Sequence, residues 1–71
     1  RVLGITPVEY MRNLRLHRVR SELQSSPYET TIANIAAKWG FWHMSLFSRY
    51  YRELFGESPS ETLLLSKELD K

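Results

Sequence analysis

At 71 residues, with no cysteine and a formal net charge of +2, the chain has room for one small domain and excludes a disulfide framework or a thiolate metal site. No apolar run approaches the roughly 18 residues needed to cross a bilayer, and there is no signal-peptide pattern. A start at Arg1 rather than methionine suggests a fragment of a longer chain, and the lack of cysteine suits a reducing cytoplasm.

The first helix is expected from "TPVE". Thr6 is its N-cap, Pro7 its first helical residue and Glu9 the reciprocal partner of a capping box. Val8, Met11, Leu14, Leu16, Val19 and Leu23 recur near helical spacing and are expected to form its core face, until "SSP" at Ser25 to Pro27 stops the run. A short second helix follows Thr31, with Ile32, Ile35, Ala36 and Trp39 on one face and Gly40 as its stop. The third begins near His43 or Met44 and runs to Phe55, ended by Gly56. The fourth opens with a second capping box, "SPSE" at Ser58 to Glu61, and continues through Leu63, Leu64 and Leu65. No strand is expected, so the fold class is all-α.

Two patterns go beyond the helix count. "RVLGITPVEYM" at the start is echoed by "ELFGESPSETL" at Glu53 to Leu63, Gly4 matching Gly56 at an offset of 56 − 4 = 52. The echo suggests a duplicated unit, and hence another helical unit before Arg1. Charge is also uneven. Arg1 to Arg20 hold five arginines against Glu9, and Lys38 to Arg52 three basic residues and no acidic one. From Glu53 onward, five acidic residues face two lysines. A basic front and an acidic tail give an oriented field that the net charge conceals.

Helices two and three, joined by a tight turn with Gly40 and an inward Phe41, have the pattern of a helix-turn-helix, in which the small Ala36 permits a close crossing. Advancing 100° per residue along the third helix puts Phe47, Tyr51, Leu54 and Phe55 on one side. Ser45, Arg49 and Arg52 fall opposite, flanked by Ser48 and Leu46. Small residues permit close approach to a surface, and arginine reaches base edges or phosphates.

On these residues the chain resembles the AraC/XylS family of bacterial transcription regulators. The matching pattern is Ile35-Ala36, Gly40-Phe41, Ser45, Phe47-Ser48-Arg49, Tyr51-Arg52 and Gly56 with Ser58-Pro59. "GITPVEYMRNLRLHRVRSEL" resembles the family's linker helix, with Tyr10, Arg15-Leu16 and Leu23 in place. The resemblance implies a linker helix plus a remnant of a first helix-turn-helix over residues 1–26, and a second, homeodomain-like helix-turn-helix with its C-terminal helix over 27–71. It implies duplex DNA as partner, with Ser45, Ser48 and Arg49 at base-contacting positions and Arg52 near phosphates. Thr31 and Ile32 would offer backbone N–H groups to a phosphate. Lys38, Arg12 and Arg15 are further backbone candidates.

The chain departs from the family pattern where Trp42 and His43 stand in place of small polar residues. Three roles are open to them: filling a groove, a base contact, or packing against the turn, with packing or a backbone contact preferred. Met44 is equally a core residue or a base reader. Thr62-Leu63 follow Ser60-Glu61 where the family commonly has Tyr-Arg.

Other chemistry is set aside. His17 and His43 lie on different helices without a second ligand at i, i+4, so no metal site is expected. His43 and Ser45 are two apart and do not face each other, which removes a nucleophile–base pair. No phosphate-cradling glycine loop is present. Arg12, Arg15 and Arg18 line one side of the first helix, but its apolar face is needed as the spine of the domain, which argues against membrane binding. The expectation is therefore a non-enzymatic, cofactor-free regulator of the bacterial cytoplasm, with a separate sensing or dimerisation domain and RNA polymerase as a further partner. The rival expectation is a protein-interaction module docking through Trp42, Leu46 and Tyr50.

Overall fold

A computed structural model describes residues 4–25 and 27–69 as four helices: α1 (Pro7–Ser25), α2 (Ile32–Lys38), α3 (Met44–Phe55) and α4 (Pro59–Leu69). No strand occurs among the described residues. The two capping boxes form as expected. Glu9 N–H donates to Thr6 Oγ1 at 3.1 Å and Thr6 N–H to Glu9 Oε1 at 2.9 Å. Ser58 and Glu61 repeat the exchange at the head of α4, at 3.1 and 2.7 Å. Each box satisfies two backbone donors that a helix start leaves over. Gly56 closes α3 in the left-handed region at φ 76°, where its N–H donates to the Arg52 carbonyl.

The core is small. Leu16, Val19 and Leu23 of α1 meet Ile35 and Ala36 of α2 and Phe47 and Tyr51 of α3, with Ile32, Trp39, Phe41, Tyr50, Phe55 and Leu63 packed around them. Phe41, Phe47, Tyr51 and Phe55 form a chain of tilted and edge-on ring contacts with centroids 4.6–5.9 Å apart, a geometry that suits aromatic quadrupoles. α4 lies mainly along α1 and buries Pro59, Thr62 and Ser66. Its leucines Leu64 and Leu65 face outward.

Two expectations of burial are corrected. Val8, Met11 and Leu14 lie on the exposed first half of α1, with Ile5 and Tyr10 also in solvent. Only the second half of α1 has α2 and α4 to pack against, so its apolar spacing is helical throughout but covered only from Leu16 onward. Leu54 sits at the edge of the apolar stripe on α3 and is exposed. No described helix is long and apolar enough to cross a membrane.

Candidate nucleic-acid interface

The turn between α2 and α3 fixes the interface. Thr31 caps α2, its Oγ1 accepting from Asn34 N–H at 3.1 Å. This leaves the N–H groups of Ile32 and Ala33 without acceptors inside the helix. The side chain of Ile32 is half-buried against the core. At the other end of α2, Ala36 carbonyl accepts from Trp39 N–H at 3.1 Å and Phe41 N–H at 2.8 Å, and Gly40 turns the chain at φ 91°. His43 then stands as the N-cap of α3 without a side-chain cap bond.

α3 is sharply two-faced. Phe47 and Tyr51 are fully enclosed, whereas Ser45, Ser48, Arg49 and Arg52 are all exposed. Trp42 (75% exposed), His43, Met44 and Leu46 lie on the solvent side at the N-terminal end of the same helix. Met44 is thereby removed from the core. Ser48, Arg49, Arg52, Glu53 and Ser58 line a shallow depression, which brings together Ser48, Arg49 and Arg52 of the expected contact residues.

The flanking cations are placed differently from one another. Lys38 Nζ is 2.9 Å from Glu22 Oε2. Trp39 Nε1 also donates to Glu22, and these two bonds hold the Glu22 carboxyl below its ordinary pKa, the Lys38 bond most strongly. Lys38 is therefore part of the seam between α1 and α2. Arg12 lies with its guanidinium 4.0 Å from the centroid of the Tyr50 ring and its Nε enclosed, a cation–π contact that half-buries both residues. Arg15 is exposed beside the turn, its Nη1 3.9 Å from where a Cβ on Gly40 would stand. His17 meets Phe55 edge-on at 5.0 Å.

One residue on this surface escaped the sequence reading. Glu53, counted there with the acidic tail, lies one helical turn beyond Arg49, its Oε2 3.6 Å from Arg49 Nε. The i, i+4 spacing of opposite charges was the available signal. Arg52 makes no ion pair among the described residues, although its charge helps hold the Glu61 carboxyl low, after the larger effect of the Ser58 backbone bond.

A family model described as a helix-turn-helix domain matches residues 1–64. The XylDLEGF operon transcriptional activator 2 of Pseudomonas putida is 42% identical over 65 residues, covering 90% of this chain and 41% of that protein. The probable thc operon regulatory protein of Rhodococcus erythropolis is 37% identical over 62 residues, 86% of this chain and 19% of its own length. Regulatory protein HrpB of Ralstonia nicotianae is 36% identical over 62 residues, or 86% and 13%. The chain thus spans less than half of the length of these relatives, and no solved structure matches it significantly. With its two-faced α3 behind a glycine turn, and with this match along most of its length, the chain belongs to the AraC/XylS family of helix-turn-helix regulators, which are not enzymes.

Proposed function

We propose that this chain binds duplex DNA by laying the outer face of α3 in the major groove, as part of a longer bacterial transcription regulator. The observation that carries this reading is the sorting of α3. Its aromatics are spent on the core, and Ser45, Ser48, Arg49 and Arg52 are left together on the open side. Arg49 is the guanine reader, since arginine bonds guanine O6 and N7 bidentately and one such contact supplies ~1–3 kcal/mol of discrimination. Ser45 and Ser48 allow close approach and hydrogen bonds to bases. Arg52 takes a phosphate, the N–H groups at Thr31 and Ile32 take another, and Arg15, Arg12 and Lys38 add positive charge at the flanks.

Residues 1–26 serve as the linker helix and 27–71 as the reading unit. The exposed apolar edge of Ile5, Val8, Met11 and Leu14 suits cover by a preceding helical unit. The full-length protein carries a sensing or dimerisation domain, works in the cytoplasm and engages RNA polymerase. A lone reading unit is expected to bind near the non-specific range, roughly 10⁻⁴–10⁻⁶ M at physiological salt.

Amide chemical shifts of the labelled chain, titrated with a mixed-sequence duplex at two salt concentrations, test the reading. Shifts over Thr31–Lys38 and Trp42–Arg52 that fade with salt support it, and still amides in a folded chain sink it. The second reading, docking on a protein through Trp42, Leu46 and Tyr50, is favoured by the exposure of Trp42 and weakened by the burial of Tyr50 under Arg12. Trp42→Ala would abolish a hydrophobic dock and spare DNA binding, whereas Arg49→Ala would spare the dock and weaken binding to guanine-bearing duplexes.

A further inference from the structure

We propose that Glu53 determines specificity by positioning Arg49: its carboxylate forms an ion pair on the Nε side of the guanidinium and leaves the two terminal amino groups free to bond guanine. The proposal rests on the DNA-binding reading above and adds a residue that reading does not use. On α3, Arg49 stands opposite the wholly enclosed Phe47 and Tyr51, and Glu53 follows one turn later on the same open side. The nearest approach of the two side chains, 3.6 Å, runs from Glu53 Oε2 to Arg49 Nε. A guanidinium paired with a carboxylate on its Nε side keeps its Nη1 and Nη2 hydrogens at the far end, and it is this end that can bond O6 and N7 of guanine together.

The same carboxylate weakens the competing interaction. A lone arginine is drawn to any phosphate by its net charge, and that attraction supplies non-specific binding. Beside Glu53, Arg49 is half of a neutral pair with little net attraction for phosphates at a distance. Its hydrogen bonds to the dipolar acceptors of guanine depend on contact geometry and are retained. The two arginines of α3 thereby divide the work. Arg49 is paired and directed at a base. Arg52, with no ion pair among the described residues, keeps its charge for a phosphate. In solvent the pair is a weak one, but it strengthens where an apposed duplex excludes water.

The test compares the chain with its Glu53→Gln, Arg49→Ala and doubly substituted variants, each checked for helix content. Three quantities are read: affinity for a mixed-sequence duplex at low salt, guanine enrichment from a randomised duplex pool, and ¹⁵N relaxation of the Arg49 Nε–H group in the free chain. Glu53→Gln should bind the mixed duplex several-fold tighter, yet enrich guanine less by about 3- to 10-fold, part of the roughly 5- to 150-fold that one bidentate contact supplies. The Arg49 Nε–H should become more mobile. In the Arg49→Ala background the Glu53 change should leave base enrichment alone.

A merely electrostatic or structural role would not move base preference, so tighter binding with unchanged guanine enrichment overturns the proposal and leaves the DNA reading intact. Equal Nε–H mobility in the two chains also overturns it, as does a Glu53 effect on enrichment that persists without Arg49. Failure of every chain to bind any duplex at low salt overturns both.

Discussion

Tyr51 of α3 donates its phenolic hydrogen to Thr62 Oγ1 of α4 across 2.8 Å, inside the core. Thr62 in turn donates to the Glu57 carboxylate, and Ser66 Oγ donates to the Thr62 carbonyl at 2.8 Å. A polar relay thus ties α3 to α4. Removing the phenol leaves Thr62 with an unused acceptor in a buried place, so Tyr51→Phe should cost about 1–2 kcal/mol. Urea unfolding with an unchanged slope would confirm a stability effect, and a cost near zero would show that the relay holds nothing.

The same enclosure sets a limit at high pH. Burial is the main cause that pushes the Tyr51 pKa up, against a smaller downward pull from the Thr62 bond. Below about pH 10 the phenol is neutral in both folded and unfolded chains. Above it the unfolded chain releases the proton first, so stability falls as pH rises. Of the four tyrosines, one should ionise late in a titration followed by ultraviolet absorbance, and Tyr51→Phe should remove that late step together with part of the alkaline loss of stability.

At low pH the carboxylates decide. Glu22 and Glu61 both have pKa values lowered in the folded chain, Glu22 chiefly by Lys38 and Glu61 chiefly by the Ser58 backbone bond. A lowered folded pKa gives stability that is complete above the unfolded value and is lost as pH falls through the folded one. Melting temperature should therefore decline below the ordinary carboxylate range. Glu22→Gln should flatten part of that decline and cost about 0.5–1 kcal/mol at neutral pH, since Lys38 is mostly in solvent. An unchanged acid profile would rule out Glu22 as a tie between α1 and α2.

What the sequence made legible was mostly local. Capping boxes, the proline and glycine signals and the stripe of Phe47 and Tyr51 involve residues a few positions apart, where backbone geometry leaves few alternatives. The burial of α1 was legible only in part. Val8 and Leu14 share the spacing of Leu16 and Val19, and spacing does not reveal how far the other helices extend along α1. Neither the Arg12 contact over Tyr50 nor the Lys38 bond to Glu22, sixteen residues earlier, was legible in the sequence. Such contacts depend on how helices cross, a relation that no short window of sequence contains. Glu53 was within reach of local reasoning and was missed because a charge count assigned it to the tail.

The turn offers a backbone test. Gly40 and Gly56 both have positive φ, 91° and 76°, a region that costs a side-chain-bearing residue roughly 1–2 kcal/mol. A Cβ at Gly56 meets nothing, and one at Gly40 meets only the Arg15 tip at ordinary contact distance. The strain is therefore conformational rather than steric. Gly40→Ala and Gly56→Ala should each destabilise by that amount, measured by thermal unfolding. Only the first should also shift the amides of α3 relative to α2, because it lies between the two helices that present the interface.

The two arginines of α3 should be separable by salt. Arg49 is paired with Glu53 and is read as a base contact, whereas Arg52 has no ion pair among the described residues and is read as a phosphate contact. Loss of one phosphate contact removes close to one unit, about 0.9, from the slope of log affinity against log salt on duplex DNA, and weakens all sequences alike. Arg52→Ala should show that slope change with base preference intact. Arg49→Ala should cost about 1–3 kcal/mol on guanine-bearing sites, with a smaller change in slope. Anisotropy titrations over a range of salt concentrations measure both, and if Arg49→Ala changed only the slope while Arg52→Ala changed base preference, the two roles would have to be exchanged.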